Sequence, residues 1–459
     1  MPNTSGPGRP VACVILAAGM GTRMRSGLPK VLHPVAHRPM VRHVLETARA
    51  AGVVRTVVVV APGHDAVAAA VAPAETVVQA VPRGTGDAVL AARSVLEGFE
   101  GDVLVLYADT PLLRPETLAR LVEARRAAGD PALVVCGMRP ADPKRYGRLV
   151  AAADGSLDRI VEFADADAAT RAIGLCNAGI MAFDGRRMWD LVGAIRDDNA
   201  KREFYLTDVV ALARGHGWRC AVIEAPEEDV LGVDSRAVQA EAERILQGRL
   251  RRAAMENGAT LIDPETVFLA ADTAIGRDVT IGPGVVVGPG VTIEDGVEIL
   301  PFSHIEGATV RRGARVGPFA RLRPGADVGP DAHVGNFVEL KNTVLGSGAK
   351  ANHLTYLGDA TVGAKANVGA GTITCNYDGF DKHRTVIGAG AFVGSNTSLV
   401  APVTLGDGAM TGAGTVVTRD VPADALALSR APQTERPDWA RIFRERKAAA
   451  KAARSKPQR

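Results

Sequence analysis

Ile281-Gly282-Pro283-Gly284-Val285-Val286-Val287-Gly288-Pro289-Gly290-Val291-Thr292-Ile293-Glu294-Asp295-Gly296-Val297-Glu298-Ile299 places an aliphatic residue at every sixth position. The beat reaches back to Ile275 and forward to Ile305, shortens to five at Val310, and resumes through Val316, Leu322, Val328, Val334 and Leu340. Later runs fall at Val362 and Val368 and at Ile387, Val393, Leu399 and Leu405. A period of six fits neither an amphipathic helix nor a simple alternating strand. It predicts a parallel β-helix whose triangular coil takes three hexapeptides, about 18 residues. Each short strand is expected to turn one aliphatic residue inward, with Gly, Asp or Asn at the corners. Coils stacked at the strand spacing of ~4.7–4.9 Å then bury one another's faces. Asn352 to Tyr356 and Ile373 to His383 leave the beat and are predicted excursions, where function is expected more than packing.

The rest of the composition fits a second, different domain. The chain has 459 residues, beyond the ~250–300 at which single cores stop growing. Of its 50 glycines, 27 lie between Gly258 and Gly414, while aromatics make up only 4%. A narrow prism with glycine corners has room for Ile, Val and Leu and little for rings.

Net charge is +3, but residues 436–459 carry nine Lys/Arg against Asp438 and Glu445, a net +7 that leaves the remainder at −4. The tail is predicted to be a solvated helix or disorder, and the scarcity of base-stacking aromatics argues against nucleic acid. Five scattered cysteines without a CxxC pair point to reduced thiols in a cytosolic compartment. No apolar run approaches the ~20 residues of a membrane span, and Val11 to Ala18 lacks the basic flank of a signal peptide.

Residues 1 to about 230 alternate β-branched runs with amphipathic stretches. Val11–Leu16, Thr56–Val60, Asp102–Leu106 and Ala132–Val135 read as buried strands; Met40–Ala51, Gly86–Leu96 and Pro115–Ala128 read as helices. This pattern predicts a Rossmann-like α/β fold with a mostly parallel sheet, its ligands beyond the carboxyl ends of the strands. Ser235–Met255 reads as one linking helix with Leu246 and Leu250 on its apolar stripe.

The loop Leu16-Ala17-Ala18-Gly19-Met20-Gly21-Thr22-Arg23-Met24 follows the first strand. Gly19-x-Gly21 alone is compatible with an ordinary turn as well as with a phosphate loop. A dinucleotide fingerprint is excluded because its third glycine falls on Met24, and the P-loop ending is missing. With Pro29-Lys30 added, the string resembles the nucleoside-triphosphate loop of sugar-1-phosphate nucleotidyltransferases. Further matches follow in order: Gly84-Thr85-Gly86, Tyr107-Ala108-Asp109-Thr110-Pro111, Tyr146-Gly147-Arg148, Asn177-Ala178-Gly179 and Phe204-Tyr205-Leu206-Thr207-Asp208.

In nucleotidyl transfer an anionic sugar-phosphate oxygen attacks an α-phosphorus and pyrophosphate leaves. The nucleophile is already ionised, so the requirements are alignment and charge neutralisation by Mg²⁺, Arg and Lys. Arg23 and Lys30 supply positive charge for the polyphosphate, and Asp109 is the leading magnesium ligand. The resemblance implies a second ligand at Asp234, where the family usually has Asn. It also implies UTP or UDP-sugar contacts at Leu16, Ala17, Ala18, Gly19, Lys30, Gln79, Gly84, Thr85, Tyr107, Ala108, Asp109, Gly147, Glu162, Asn177 and Asp234, with Arg23 stabilising the leaving phosphates. Gln79 matches the family, whereas Val81-Pro82 stands where a Glu-Gln pair is usual.

In the repeat region four segments resemble the bifunctional N-acetylglucosamine-1-phosphate uridyltransferase/glucosamine-1-phosphate N-acetyltransferase family. They are Gly317 to Pro324, Gly335 to Lys341, His353 to Asp359 and Gly369 to Gly379, and with the amino-terminal motifs the resemblance extends to about Arg430. N-acetylation needs a base to free the amine, and His353 has an ordinary pKa of roughly 6.5, although a lone loop histidine is commonly just solvated. The family implies sugar-phosphate contacts at Arg323, Lys341, Tyr356 and Asn367. It places acetyl-CoA near Ala370, Asn376, Tyr377, Ser395, Ala413 and Arg430. Direct attack by the amine is its expectation, although Cys375 invites an acyl-enzyme reading.

The expected organisation is a uridyltransferase domain over 1–234, a linker helix over 235–257, a left-handed β-helix acetyltransferase domain over 258–435 and a basic tail over 436–459. The implied enzyme is a cytoplasmic homotrimer that uses Mg²⁺, UTP and acetyl-CoA and feeds cell-wall and lipopolysaccharide synthesis. Two competing readings are a hexose-1-phosphate nucleotidyltransferase whose prism regulates or oligomerises it, and a non-enzymatic scaffold of the same plan.

Overall fold

The computed structural model describes residues 9–143 and 146–454. The ends of the first predicted domain and of the basic tail, residues 1–8 and 455–459, lie outside the described residues. Contacts group the chain into two compact units, residues 1–275 with 283–290, and 276–282 with 291–459.

In the first unit a sheet runs in the order β7-β5-β6-β4-β1-β2-β3. Its strands are β1 (Val11–Leu16), β2 (Arg55–Val60), β3 (Glu75–Val78), β4 (Asp102–Tyr107), β5 (Leu133–Met138), β6 (Cys176–Asp184) and β7 (Cys220–Glu224). Neighbours are parallel except β6, which runs against β4 and β5. β1 is buried along its whole length, and its residues alternate between two apolar layers. Ala12, Val14 and Leu16 face one layer, Cys13 and Ile15 the other. Both faces are therefore covered, as the continuous apolar runs require. The stretch read as one helix over Gly86–Leu96 is two, Thr85–Ala91 and Arg93–Leu96.

At the end of the sheet away from those carboxyl ends, Asp102 stands opposite Asp184. Both carboxylates are fully buried and share Arg125, itself 1% exposed. Arg125 Nε donates to Asp102 at 3.0 Å and Nη1 to Asp130 at 2.8 Å, while Arg126 donates to Asp102 at 2.6 Å. Burial alone would raise the Asp184 carboxyl. Hydrogen bonds from Arg186, the charge of Arg125 and a hydrogen bond from Arg9 outweigh it and hold that carboxyl well below the usual range.

The predicted linking helix spans Arg236–Glu256, with the Ser235 hydroxyl accepting from Val238 N–H as N-cap. Its buried face is not the Leu246/Leu250 stripe alone. Gln247, 2% exposed, donates to Leu269 C=O at 2.7 Å and accepts from Leu269 N–H at 2.9 Å. A polar side chain is tolerated there because it completes the hydrogen bonding of a strand edge.

The second unit is a parallel β-helix. Ile281 pairs with Ile299, and Ile293 with Val310, so a coil takes 17 or 18 residues. The aliphatic beat points inward as expected, but each hexapeptide buries a second residue two positions earlier. Val279, Val291 and Val297 are 0–1% exposed beside Ile281, Ile293 and Ile299. This is ordinary strand alternation folded into a six-residue unit. Asn352 to Tyr356 is not an excursion: it lies within the 13-residue strand Lys350–Val362, paired with His333–Leu345. The second interruption does leave the prism, where Tyr377 bridges antiparallel to Lys382. In the tail, Trp439–Arg454 is a helix without buried residues. No helix among the described residues is long and apolar enough to cross a membrane.

Candidate active sites

The segments that follow β1, β3 and β4 converge on a cavity of about 370 Å³. Leu16 and Tyr107 are register partners at the ends of β1 and β4, which sets the glycine loop beside the Asp109 turn. Ala17, Ala18 and Gly19 continue from β1, with Ala17 N–H still bonded to Val59 C=O. Gly21 is left-handed at φ 62°, and a Cβ there would stand 2.4 Å from the Lys30 side chain. Glycine thus lets Lys30 reach in and pair with Asp109. Arg23 pairs with Asp234, and Val233 N–H donates to Asp109 C=O at 2.8 Å, which pins the 232–234 loop against the Asp109 turn.

The five separated motifs interlock, largely through glycines. At Gly84, φ 127°, a Cβ would lie 2.6 Å from Phe204 C=O. Gly86 N–H donates to Phe204 C=O, and Leu206 N–H to the Thr85 hydroxyl. Gln79 is buried with its amide NH₂ on Gly84 C=O at 3.1 Å and Asp87 at 2.8 Å, so it braces this turn as well as lining the cavity. At Gly179, φ 84°, a Cβ would strike the Tyr107 ring at 2.7 Å, while Asn177 accepts from Gly179 N–H and donates its own N–H to Gly147 C=O. Across Gly147 sits Glu162, whose carboxylate accepts from the Thr207 hydroxyl at 3.2 Å. Burial, reinforced by Asp165 and Glu203, pushes Glu162 up. Burial and the charges of Glu162 and Asp109 raise the Tyr107 phenol. Met20, Pro82 and Glu203 also line the cavity; each carried a sequence signal, Met20 inside the glycine loop, Pro82 within the Val81-Pro82 departure and Glu203 adjoining the Phe204 motif.

Asp109 and Asp234 offer hard carboxylate oxygens on two loops joined by the Val233–Asp109 backbone bond. Magnesium is held by one or two carboxylates with water and substrate phosphates completing an octahedron, so this donor set fits it.

In the second unit His353 Nδ1 stands 2.6 Å from Asn336 Oδ1, one coil below in register. An amide oxygen can only accept, so Nδ1 carries the proton and Nε2 is left basic. The same column continues through successive coils. Gly371 N–H bonds to His353 C=O, Asn396 N–H to Ala370 C=O, Gly414 N–H to Ser395 C=O, and Arg430 to Ala413 C=O. Four of the six positions expected at acetyl-CoA therefore form one ridge above His353.

Round the corner made by left-handed Leu354 lies the polar cluster. Tyr356 pairs with Glu339, which accepts from Arg323 at 2.8 Å. A Cβ on Gly358 would meet the Tyr356 hydroxyl at 2.4 Å and Asn376 Nδ2 at 2.7 Å, so these two side chains converge there. Asn376 and Asn342 both donate to Asp359. Burial would raise Asp359, but those bonds and the charges of Lys341 and Lys382 hold it low. Lys341 is lowered by its contact with Lys382, then by desolvation and the like charge. Two facing ammonium groups are a seat for an anion. Lys382 escaped the sequence reading because a hairpin excursion delivers it, whereas Asn336 sits 17 residues before His353, one coil, and was findable by that offset. Tyr377 is 60% exposed, with its hydroxyl on Gly379 C=O, and Asn367 lies beside Lys350 and Phe392 rather than in this cluster.

Comparison with known proteins agrees with both halves. The MobA-like NTP transferase domain matches residues 13–176, and the bacterial transferase hexapeptide (six repeats) matches 272–307 and 384–419. A protein of Rhodospirillum rubrum named "Bifunctional protein GlmU" is 62% identical over 433 residues, covering 94% of this chain and 97% of its own. Proteins of the same name from Paramagnetospirillum magneticum and Maricaulis maris are 57% and 60% identical, each covering 96% of this chain and 98% of its own.

Proposed function

The chain belongs to the family of bifunctional GlmU proteins, and from that premise we propose that its two sites catalyse consecutive transfers ending in UDP-N-acetylglucosamine. Residues 258–435 acetylate glucosamine 1-phosphate with acetyl-CoA; residues 1–234 then join N-acetylglucosamine 1-phosphate to UTP and release pyrophosphate. The observation that carries the reading is the His353–Asn336 pair at the foot of the Ala370–Ser395–Ala413 ridge, in a chain that also has a triphosphate loop.

For acetyl transfer, Asn336 fixes the imidazole with Nε2 free to take the amine proton as nitrogen attacks the thioester carbonyl. The C–S bond breaks as the tetrahedral intermediate collapses, and the CoA thiolate leaves. Lys341, Lys382, Arg323 and Tyr356 suit the sugar phosphate, and the ridge to Arg430 suits acetyl-CoA. No thiol is needed, so Cys375 has no covalent role.

For uridyl transfer, Gly147, Asn177 and Glu162 orient the sugar, and the Leu16–Gly19 loop with Gln79, Gly84 and Thr85 receives the nucleotide. Arg23 and Lys30 meet the charge on the departing pyrophosphate. Asp109 and Asp234 would hold Mg²⁺, which when bound neutralises phosphate charge. Homotrimer formation is part of the proposal, supported by an exposed apolar ladder on one prism corner: Phe302, Phe319, Phe337 and Leu354, with ring centroids 5.1 and 5.3 Å apart. A cytoplasmic location is part of the same proposal, in keeping with the proposed substrates.

A coupled assay with glucosamine 1-phosphate, acetyl-CoA, UTP and Mg²⁺, omitting one component at a time, tests this. His353→Ala should abolish acetyl transfer and spare uridyl transfer, with Asp109→Ala doing the reverse. Absence of acetylation by the unmodified enzyme would reduce the chain to a single-activity nucleotidyltransferase, and absence of both activities would leave a scaffold.

A further inference from the structure

The two cations assigned to the leaving phosphates are each already paired with one of the two metal carboxylates. Lys30 is on Asp109 and Arg23 is on Asp234. The second pair depends on the carboxylate at position 234, since an Asn there could accept a hydrogen bond from Arg23 but would bring no charge. The pairs also differ in burial. Lys30 and Asp109 side chains are 16% and 18% exposed, whereas Arg23 is 73% exposed, with Asp234 at 36%. The Val233–Asp109 backbone bond holds the 232–234 loop against the Asp109 turn whichever partner the Asp234 carboxylate takes.

We propose that Asp234 is a positioning residue shared between Arg23 and the divalent cation. In the metal-free enzyme Asp234 keeps Arg23 latched away from the triphosphate, and Arg23 is released when the carboxylate goes to the metal. This rests on the metal assignment made above. Its thermodynamic content is reciprocal: whatever draws Arg23 off Asp234 favours metal binding, and metal binding favours Arg23 meeting a polyphosphate. The Asp at 234 thus makes the arrival of positive charge at the leaving group conditional on the metal, where an Asn leaves Arg23 available throughout.

Two binding measurements on the full chain test the latch without turnover. The first titrates pyrophosphate calorimetrically in EDTA buffer, with no metal present. Asp234→Asn should bind it about two- to five-fold more tightly than the unmodified protein, the range expected for removing a partly exposed competing ion pair. In an Arg23→Ala background that gain should vanish. Equal binding by the unmodified protein and Asp234→Asn, or a gain that survives loss of Arg23, overturns the latch. The second titrates Mn²⁺ alone, read by electron paramagnetic resonance. Arg23→Ala should tighten Mn²⁺ by a similar factor when Asp234 is present and have no effect in Asp234→Asn; an equal effect in both backgrounds would mean a general field of Arg23 and overturns the sharing. Mn²⁺ binding indifferent to both Asp109→Asn and Asp234→Asn would reject the metal assignment itself, an outcome separate from the pyrophosphate arm.

Discussion

Asp208→Asn should make the first unit more stable at neutral pH and leave it unchanged in acid. Asp208 closes the Phe204–Asp208 motif and, with Glu162, Asp165 and Asp198, lines a cavity of about 630 Å³. Burial first, then the charges of Asp198, Glu162 and Asp165, push its carboxyl up to about 6 from 3.8. Between those values the folded chain holds a proton that the unfolded chain has released. Relative to Asn, Asp208 is therefore neutral below pH ~4, and its penalty grows until pH passes about 6. At 1.36 kcal/mol per pKa unit the full shift corresponds to ~3 kcal/mol, which partial solvent access reduces to ~1–2 kcal/mol. For a unit of this size each kcal/mol moves the midpoint by roughly 2–4 °C, so a gain of roughly 2–8 °C is expected at pH 7.5. Differential scanning calorimetry at pH 4, 6 and 7.5, following the transition of the first unit, reads it. A gain of equal size at pH 4 and 7.5 would trace to packing rather than ionisation, and a loss at pH 7.5 would show the carboxylate to be satisfied. Either result refutes the electrostatic argument.

Other outcomes follow from single contacts. Arg125→Ala takes the shared buried cation from Asp102, which keeps Arg126, and from Asp184, which keeps Arg9 and Arg186, and should cost about 1–3 kcal/mol, read as a lowered urea midpoint. Asn336→Asp puts a carboxylate against His353 Nδ1, so the acid limb of the acetyl-transfer pH profile should move up by about one unit, while Asn336→Ala lowers the rate without moving the limb. Phe337→Asp breaks the stacked corner ladder and should lower the mass measured by sedimentation equilibrium; an unchanged oligomer would move the interface to another face.

The prism was legible because its interior admits one chain path. Ile281, Ile293 and Ile299 had to point inward, and a spacing of six, shortened to five at Val310, returns the chain there. The second buried position, at Val279, Val291 and Val297, stayed hidden because a search for the strongest beat absorbs a weaker one of the same period. In the α/β unit the glycine loop and the Gly84 and Tyr107 motifs follow strands, which places them at the carboxyl edge of the sheet, and Asn177-Ala178-Gly179 lies in the antiparallel β6. The cause of their meeting was not legible. Gly84 looked like a loop glycine, and the Phe204 carbonyl that requires it lies 120 residues away.

The same contrast explains which site residues escaped. On the prism, distance in sequence converts into distance in space by a rule: 17 or 18 residues is one step up the stack, so Asn336 below His353 and Ala370 above it occupy predictable places. The rule fails only where the chain leaves the coil, which is why Lys382 arrived unannounced beside Lys341. No such rule links Arg23 to Asp234, 211 positions apart, because crossover connections carry the chain through the sheet before the two loops meet. A departure such as Asp for Asn at 234 can be noticed in the sequence, but only its pairing with Arg23 turns it from an alternative metal ligand into a control on the leaving-group cation.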